Sequence, residues 1–232
     1  MLAVALTVPA RSAPANLRAV EPATILRGYA SALALLARPK ALSFDYTVSQ
    51  LGLHDMEQMH HVYRSGLDER DETLSVVVSG TTLAAATVRI IRNRTYRYDI
   101  ATIAPRADRY AFVASGARRI DGGYVYRFRT VPRGQRAFAV SEIDIDGGSL
   151  LPAVVHFHIA GGGARGEGVL IYGRSDSRWV VREARVNAHL SNGSTARERI
   201  VWSNYRFYEA LPRSTFDAPK PAVTATPPPI SP

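Results

Sequence analysis

The sequence predicts a mainly β (α+β) fold, with one N-terminal helix and a strongly curved antiparallel sheet of about nine to eleven strands that forms an incomplete half-barrel. Three observations lead to this prediction. Helical periodicity is confined to one stretch near the start, apolar and polar residues alternate in many later stretches, and glycine-rich turn formers separate those stretches. Closely spaced hairpins indicate antiparallel pairing, because parallel strands need long crossover connections.

The helix is predicted over residues 23–37. Ile25, Tyr29 and Leu33 recur there at three- and four-residue spacing, which gives the helix one apolar face. Pro39 follows directly after this stretch and is expected to end it.

The sheet is predicted to begin at 41–50, where Phe44, Tyr46 and Val48 alternate with polar residues at the period of a half-buried strand. One helix is too small to cover so large a sheet, so the sheet either curls on itself or leaves an apolar concavity. The lack of helices to cover the sheet is a first indication of ligand binding. The further predicted strands are 56–64, 72–79, 87–103 with an interruption at Asn93, 109–114, 124–130, 138–145, 154–159, 168–172, 179–190 and 197–208.

Composition excludes several classes of site. The chain has no cysteine, so it has no disulfide, thiolate metal site or cysteine nucleophile. Its net charge is +9, with arginine in place of nearly all lysine, which fits either a GC-rich genome or a surface drawn to anionic lipid headgroups. A nucleic-acid partner is not predicted, because the arginines are spread over many strands rather than gathered in one run.

The two ends differ in composition from the rest of the chain. Residues 1–15 combine a short apolar stretch with an Ala-Pro-Ala cleavage pattern, which predicts a signal peptide and an exported, periplasmic or cell-envelope protein of a bacterium. No basic segment precedes the apolar stretch, which suggests a start truncated in the sequence; a disordered cytosolic N-terminus is the alternative. Residues 16–217 are predicted to form a single domain. Residues 218–232, with six prolines, are predicted to form a disordered tail.

Two groups of side chains have metal-binding chemistry. His156 and His158 lie two residues apart on a predicted strand and therefore share one face, but no third ligand is evident, and groove-lining or surface histidines are the alternative. Glu142, Asp144 and Asp146 also share one face and suit either a hard cation or an acidic outer surface.

Catalytic motifs are missing. The sequence has no G-x-S-x-G elbow, and the glycine-rich segment 161–168 lacks the Lys-Ser/Thr ending of a phosphate loop, so it is interpreted as a flexible hairpin. The sequence predicts no catalytic residue, no metal and no cofactor, and the protein is not expected to be an enzyme.

An aromatic-Arg-aromatic triplet occurs at 96–98, 126–128 and 205–207. Within a strand its two rings face one side and its arginine faces the other. Adjacent strands of this kind build one aromatic face, either an ordinary core or a wide apolar groove for acyl chains, in which each buried methylene contributes about 0.8 kcal/mol.

The C-terminal segments 199–207 and 211–216 resemble the closing strand and tail of LolA-type outer-membrane lipoprotein-sorting proteins. The hairpin 145–152, with its aspartate, turn and Leu-Pro, and the opening strand 42–48 after a helix are similar to the same family. The resemblance covers residues 23–216. It implies an open half-barrel with an apolar cavity, in a periplasmic protein that carries or senses acylated molecules without catalysis.

The family supplies no catalytic residue, and the residues that line the cavity are predicted here from strand alternation: Phe44, Tyr46, Val48, Tyr126, Phe128, Val155, Phe157 and Trp202. The family closes its cavity with helices inserted mid-chain. In this sequence residues 84–136 carry arginine-rich, β-like runs instead, and only residues 83–86 indicate a short helix. The lid is therefore expected to be absent or reduced to loops.

The leading prediction is a carrier or binding protein of the periplasm or envelope, whose ligands are lipids or acylated lipoproteins. An envelope sensor or interaction scaffold that uses the same fold without a transported ligand is the alternative. A metal-dependent hydrolase that uses His156 and His158 comes third. The expected partners are acyl chains, envelope proteins or an anionic membrane surface.

Overall fold

The computed structural model describes residues 20–51, 55–83, 87–94, 99–120, 123–161, 164–190 and 193–217. The predicted signal peptide (1–15), the predicted tail (218–232) and the triplet 96–98 lie outside the described residues. Within these residues, no helix has both the length and the apolarity needed to span a membrane.

The mainly β prediction is confirmed. Helix α1 spans Pro22–Leu35, a four-residue helix α2 spans Ile100–Ile103, and a 3-10 helix spans Arg213–Phe216. The described residues hold twelve strands, one more than the predicted upper number, because Thr81–Leu83 forms a short edge strand. The strands are β1 Ala41–Leu51, β2 Met56–Ser65, β3 Asp68–Val78, β4 Thr81–Leu83, β5 Thr87–Ile91, β6 Tyr110–Ile120, β7 Gly123–Pro132, β8 Phe138–Asp146, β9 Pro152–Gly161, β10 Ala164–Ser175, β11 Arg178–Leu190 and β12 Thr195–Tyr208.

All strands join one antiparallel sheet in the order β4-β3-β2-β1-β12-β11-β10-β9-β8-β7-β6, and β5 pairs with β3 beside β4. The first long strand therefore pairs with the last one, in the interior of the sheet. β5 lies at one edge of this sheet and β6 at the opposite edge, and residues 99–109 of the connection between them lie over the inner face, where Ile100 and Ala104 are buried. The predicted curvature and half-barrel shape stay predictions.

One face of the sheet, called the inner face here, packs against α1. The helix buries Ile25, Tyr29 and Leu33, as its periodicity predicted, and each such apolar side chain contributes about 1.5–3 kcal/mol. The Tyr29 ring meets the ring of Phe112 edge to face at 6.1 Å. Its hydroxyl donates a hydrogen bond of 2.7 Å to the backbone oxygen of Pro105, which fixes the β5–β6 connection beside the helix.

The prediction of a β-like run over 87–103 is partly wrong. β5 ends at Ile91, and Ile100–Ile103 is helical. The predicted interruption at Asn93 agrees with its positive φ of 56°. The helix itself was not predicted; the Asp99 carboxylate caps it by accepting a hydrogen bond of 2.7 Å from the amide of Ala101. The short helix therefore lies later than the predicted segment 83–86, whose residues 84–86 lie outside the described residues.

Gly168 illustrates how tightly the inner face is packed. A Cβ at this position of β10 would lie 2.3 Å from Cζ of Phe157 on β9 and 2.7 Å from the backbone oxygen of Arg185 on β11. We expect Gly168→Ala to lower the free energy of unfolding by about 1 kcal/mol or more, because the added methyl overpacks this contact. Urea unfolding measures the change. Gly173→Ala in the same strand is the control, since its Cβ would meet only Arg182, at 3.5 Å; equal losses in both variants would contradict the explanation.

Candidate ligand-binding cavities

Two cavities lie at the inner face, one on each side of α2. The smaller one, cavity A, has a volume of about 590 Å³, and the larger one, cavity B, about 1130 Å³. Asp99 and Ile100 line cavity A, whereas the following residues of α2 line cavity B. The volume of cavity A lies within the range of roughly 300–1,000 Å³ that is typical of small-molecule pockets.

The walls of cavity A combine an apolar part with a polar part of similar extent. They come from the C-terminal end of α1, from β1 and from the β11–β12 pair, and Leu35 at the rim is 84% exposed, so the cavity reaches the protein surface. Both tryptophans of the chain belong to these walls. The apolar wall residues are Ala32, Leu35, Leu36, Ala37, Pro39, Leu42, Phe44, Ile100, Leu151, Trp179, Val180, Val181, Trp202, Tyr205 and Phe207.

Cavity A also carries many positive charges. Among the described residues, five arginines line it, against the single carboxylate of Asp99. Arg64 and Arg94 both pair with Glu69, which lies behind the wall and is only 2% exposed. The Arg64 guanidinium stacks over the Phe44 ring at 5.0 Å, so this charge adjoins the apolar wall directly. The five are Arg38, Arg64, Arg94, Arg174 and Arg178.

All eight residues predicted to line the site lie on the inner face, as the strand registers show: Phe44, Tyr46, Val48, Tyr126, Phe128, Val155, Phe157 and Trp202. Phe44 and Trp202 line cavity A, and Phe157 lines cavity B. The other five line neither of these cavities. Three of those five, Tyr126, Phe128 and Val155, are buried core residues. Much of the inner face is therefore filled by the protein's own side chains.

The triplets at 126–128 and 205–207 have the predicted geometry. The rings of Tyr205 and Phe207 stack with centroids 6.2 Å apart and both line cavity A, while Arg206 is exposed on the outer face. In the other triplet the aromatic side chains are buried on the inner face, and Arg127 on the outer face binds both carboxylate oxygens of Asp144 at 2.7 and 2.9 Å. One triplet thus belongs to the core and the other to a cavity wall.

The histidine and carboxylate groups lie on the outer face. His156 Nε2 is 3.8 Å from Glu142 Oε1, and Asp144 pairs with Arg127. Asp146 accepts hydrogen bonds from the amide and hydroxyl of Ser149 in the β8–β9 turn. Among the residues that the structure describes, no three His, Cys, Asp or Glu side chains converge in a way that could hold a metal ion.

A buried polar cluster on the inner face was not predicted. The Tyr46 hydroxyl donates to Asp71 Oδ2 at 3.0 Å, His60 Nδ1 lies 2.8 Å from Asp71 Oδ1, and an Arg89 nitrogen lies 3.1 Å from Oδ2. The rings of Tyr46 and His60 stack 4.4 Å apart. Burial by itself raises the pKa of the Asp71 carboxyl, but the bonds from His60, Tyr46 and Arg89 outweigh burial, and the pKa lies below its usual range.

Cavity B also contains a carboxyl group, and part of its wall is apolar. Glu198 of β12 lines it together with Phe157, Ile159 and Val186. Burial raises the pKa of Glu198 above its usual range. The other residues of the cavity B wall are Gln50, Ala101, Thr102, Ile103, Ala104, Arg106, Asp108, Arg109, Tyr110, Arg136, Ala137, Phe138, Gly161, Ala188 and Ala196.

We expect Glu198→Gln to raise the free energy of unfolding at pH 7 and to have little effect near pH 4. A carboxyl whose folded pKa exceeds its unfolded value, about 4.3, weakens the folded state at neutral pH, and this effect disappears as the pH falls through the folded pKa towards the unfolded one. Urea unfolding at the two pH values tests this, with the exposed Glu57→Gln on β2 as the control. A change of equal size at both pH values would contradict the assignment.

Comparison with known proteins gives only distant structural matches. No family model matches the sequence, and no curated protein matches it. The chain is similar to a putative outer membrane lipoprotein-sorting protein domain from Vibrio parahaemolyticus (12% identity, TM-score 0.47, covering 83% of this chain and 95% of that one). It is also similar to a LolA superfamily protein from Nitrosomonas europaea (12% identity, TM-score 0.43, covering 86% and 99%).

A DUF1329 family protein from Desulfovibrio piger matches as well (12% identity, TM-score 0.43, covering 85% of this chain and 98% of that one). The matches are too distant to assign a ligand, so the proposed function rests on the geometry of the cavities.

Proposed function

We propose that the protein is a non-enzymatic binding protein, exported to the bacterial envelope, that holds the acyl chain of a lipid or of an acylated protein in cavity A. The observation that carries this proposal is a cavity of about 590 Å³ that has aromatic and aliphatic residues in its wall and reaches the surface beside the exposed Leu35. An acyl chain offers no directional contacts, and aromatic and aliphatic walls such as Trp179, Trp202 and Leu36 suit it.

The expected affinity follows from the buried length of the chain. Each methylene contributes about 0.8 kcal/mol, so burial of about ten methylenes contributes about 8 kcal/mol. That free energy corresponds to a dissociation constant of about 1 µM before the cost of association is subtracted. Micromolar or weaker binding would allow the ligand to be taken up and released again.

The experiment is an uptake assay with delipidated protein. The protein is incubated with vesicles that contain an isotope-labelled phospholipid, then separated from the vesicles, and the bound lipid is measured together with the mass of the intact complex. We expect one bound lipid per chain at saturation. Mass spectrometry that finds no lipid, combined with no uptake of a hydrophobic dye, would contradict the proposal.

The second candidate is an envelope scaffold or sensor that binds a protein partner and carries no lipid. It is favoured by the partial filling of the inner face, where Tyr126, Phe128 and Val155 are buried core residues that line neither cavity. Among the structural matches, the complex of MucA and MucB from Pseudomonas aeruginosa is a protein–protein complex (14% identity, TM-score 0.21, covering 81% of this chain and 99% of that one). Absence of lipid and dye uptake by correctly folded protein is the result that would favour the scaffold. No observation favours the hydrolase.

A further inference from the structure

We propose that cavity A selects anionic amphiphiles, with the acid group of the ligand bound by Arg174 and Arg178 at the rim and its acyl chain lying against the aromatic wall. This inference rests on the proposed function and specifies the ligand class of the same site. The shared chemistry is a carboxylate or a phosphate monoester on an apolar chain.

The first argument is the balance of charge around the cavity. Five arginines line cavity A, and Asp99 is the one acidic residue among the lining residues described. Adding the buried Glu69, which pairs with both Arg64 and Arg94, still leaves an excess of three positive charges. This excess of positive charge attracts an anionic group that enters the cavity.

The second argument concerns Arg174 and Arg178, which flank the β10–β11 turn at the cavity rim. Arg174 is exposed, and its side chain forms no ion pair within the described part of the chain. The Arg178 guanidinium lies over the Phe207 ring, 5.2 Å from its centroid. Its charge also acts on Glu209, but that carboxylate is already bound by Lys40 at 2.8 Å.

The third argument is the geometry of arginine. A guanidinium binds carboxylate and phosphate oxygens through parallel N–H donors, whereas it gains little from an ester or an alcohol. Because Arg178 stacks on Phe207, which itself lines the cavity, a headgroup at this arginine would sit directly above the apolar wall. An anionic amphiphile matches both parts of the site, and a neutral lipid matches only one.

The test compares four probes on the full chain: oleic acid, its methyl ester, lysophosphatidic acid and inorganic phosphate. Calorimetry should give at least tenfold tighter binding for the two acidic amphiphiles than for the ester, since a charge-assisted hydrogen bond is worth about one factor of ten or more. Lysophosphatidic acid binding more tightly than oleic acid would support a phosphate headgroup, and the reverse order would support a carboxylate.

Substitutions test whether Arg174 and Arg178 cause the preference for acidic amphiphiles. The double variant Arg174→Gln/Arg178→Gln should lose at least tenfold in affinity for the acids and none for the ester. The charge-retaining Arg174→Lys/Arg178→Lys should recover only part of the loss, because an ammonium group keeps the charge but lacks the parallel N–H donors. The matched control is Arg129→Gln/Arg197→Gln, which removes two exposed outer-face arginines and should change nothing.

Three outcomes would overturn the inference. Equal binding of oleic acid and its methyl ester would remove the headgroup selectivity and leave the proposed function intact. Binding of none of the three amphiphiles would overturn both. Binding of inorganic phosphate as tight as that of lysophosphatidic acid, with the same dependence on the two arginines, would identify a free-anion site and contradict the amphiphile assignment.

Discussion

Replacement of Ala32 by phenylalanine should weaken the binding of a fatty-acyl ligand by at least tenfold. Ala32 lies on α1 and lines cavity A opposite the sheet, so a phenyl ring at this position occupies space that the acyl chain needs. Excluding only two methylenes costs about 1.6 kcal/mol of burial, which already exceeds a factor of ten in affinity. The measurement is the dissociation constant of an isotope-labelled fatty acid.

Ala34→Phe is the matched control for this prediction. It places the same ring on the same helix, two residues away, on the exposed side that does not line the cavity. Both variants should keep the unfolding midpoint of the parent protein to within a few degrees. A fatty acid that binds equally well to both variants would show that cavity A is not the binding site.

Replacement of Asp71 by alanine should lower the free energy of unfolding by about 3 kcal/mol at pH 7. The Asp71 carboxylate accepts the hydrogen bond from Tyr46 and pairs with His60 and Arg89, and its removal leaves the buried polar groups of Tyr46 and His60 without this partner. Each buried group left unsatisfied costs about 1–3 kcal/mol. Urea unfolding measures the loss, and Asp55→Ala, at an exposed aspartate before β2, is the control.

The same substitution has a pH dependence of known sign. The folded pKa of Asp71 lies below its usual value, so the carboxylate stabilises the protein above the unfolded pKa of about 3.9. This contribution is lost as the pH falls through the folded pKa. The difference between the parent and Asp71→Ala should therefore shrink below about pH 4, and a difference that stays constant down to pH 2 would contradict the role given to the carboxylate.

Strand alternation was sufficient to predict which residues face the core. The side chains of Phe44, Tyr46 and Val48 share a face because the period of two is a local property of an extended chain. The same rule predicted that Tyr205 and Phe207 face one side of the strand and that the arginine between them faces the other side. These predictions needed no knowledge of which strands pair, and the structure confirms the inner face for each of these residues.

The cavities could not be predicted in this way, because their position depends on what covers the inner face. The position of residues 99–109 over the inner face depends on the strand order, which no local pattern reveals, and α2 in this segment borders both cavities. The Asp71 cluster was missed for a related reason. The segment 68–72 is charged throughout and shows no alternation, and only its register with β2 turns Glu69 and Asp71 inward.

The most direct test of the account is the fluorescence of Trp179 and Trp202, the two tryptophans of the chain, which both line cavity A. A fatty acid brominated along its chain quenches tryptophan only at short range, and the single variants Trp179→Phe and Trp202→Phe report each ring separately. An acyl chain in cavity A predicts saturable quenching of both rings, which Ala32→Phe shifts to at least tenfold higher fatty-acid concentration and Ala34→Phe leaves unchanged. Binding of the fatty acid without quenching of either tryptophan would contradict the account.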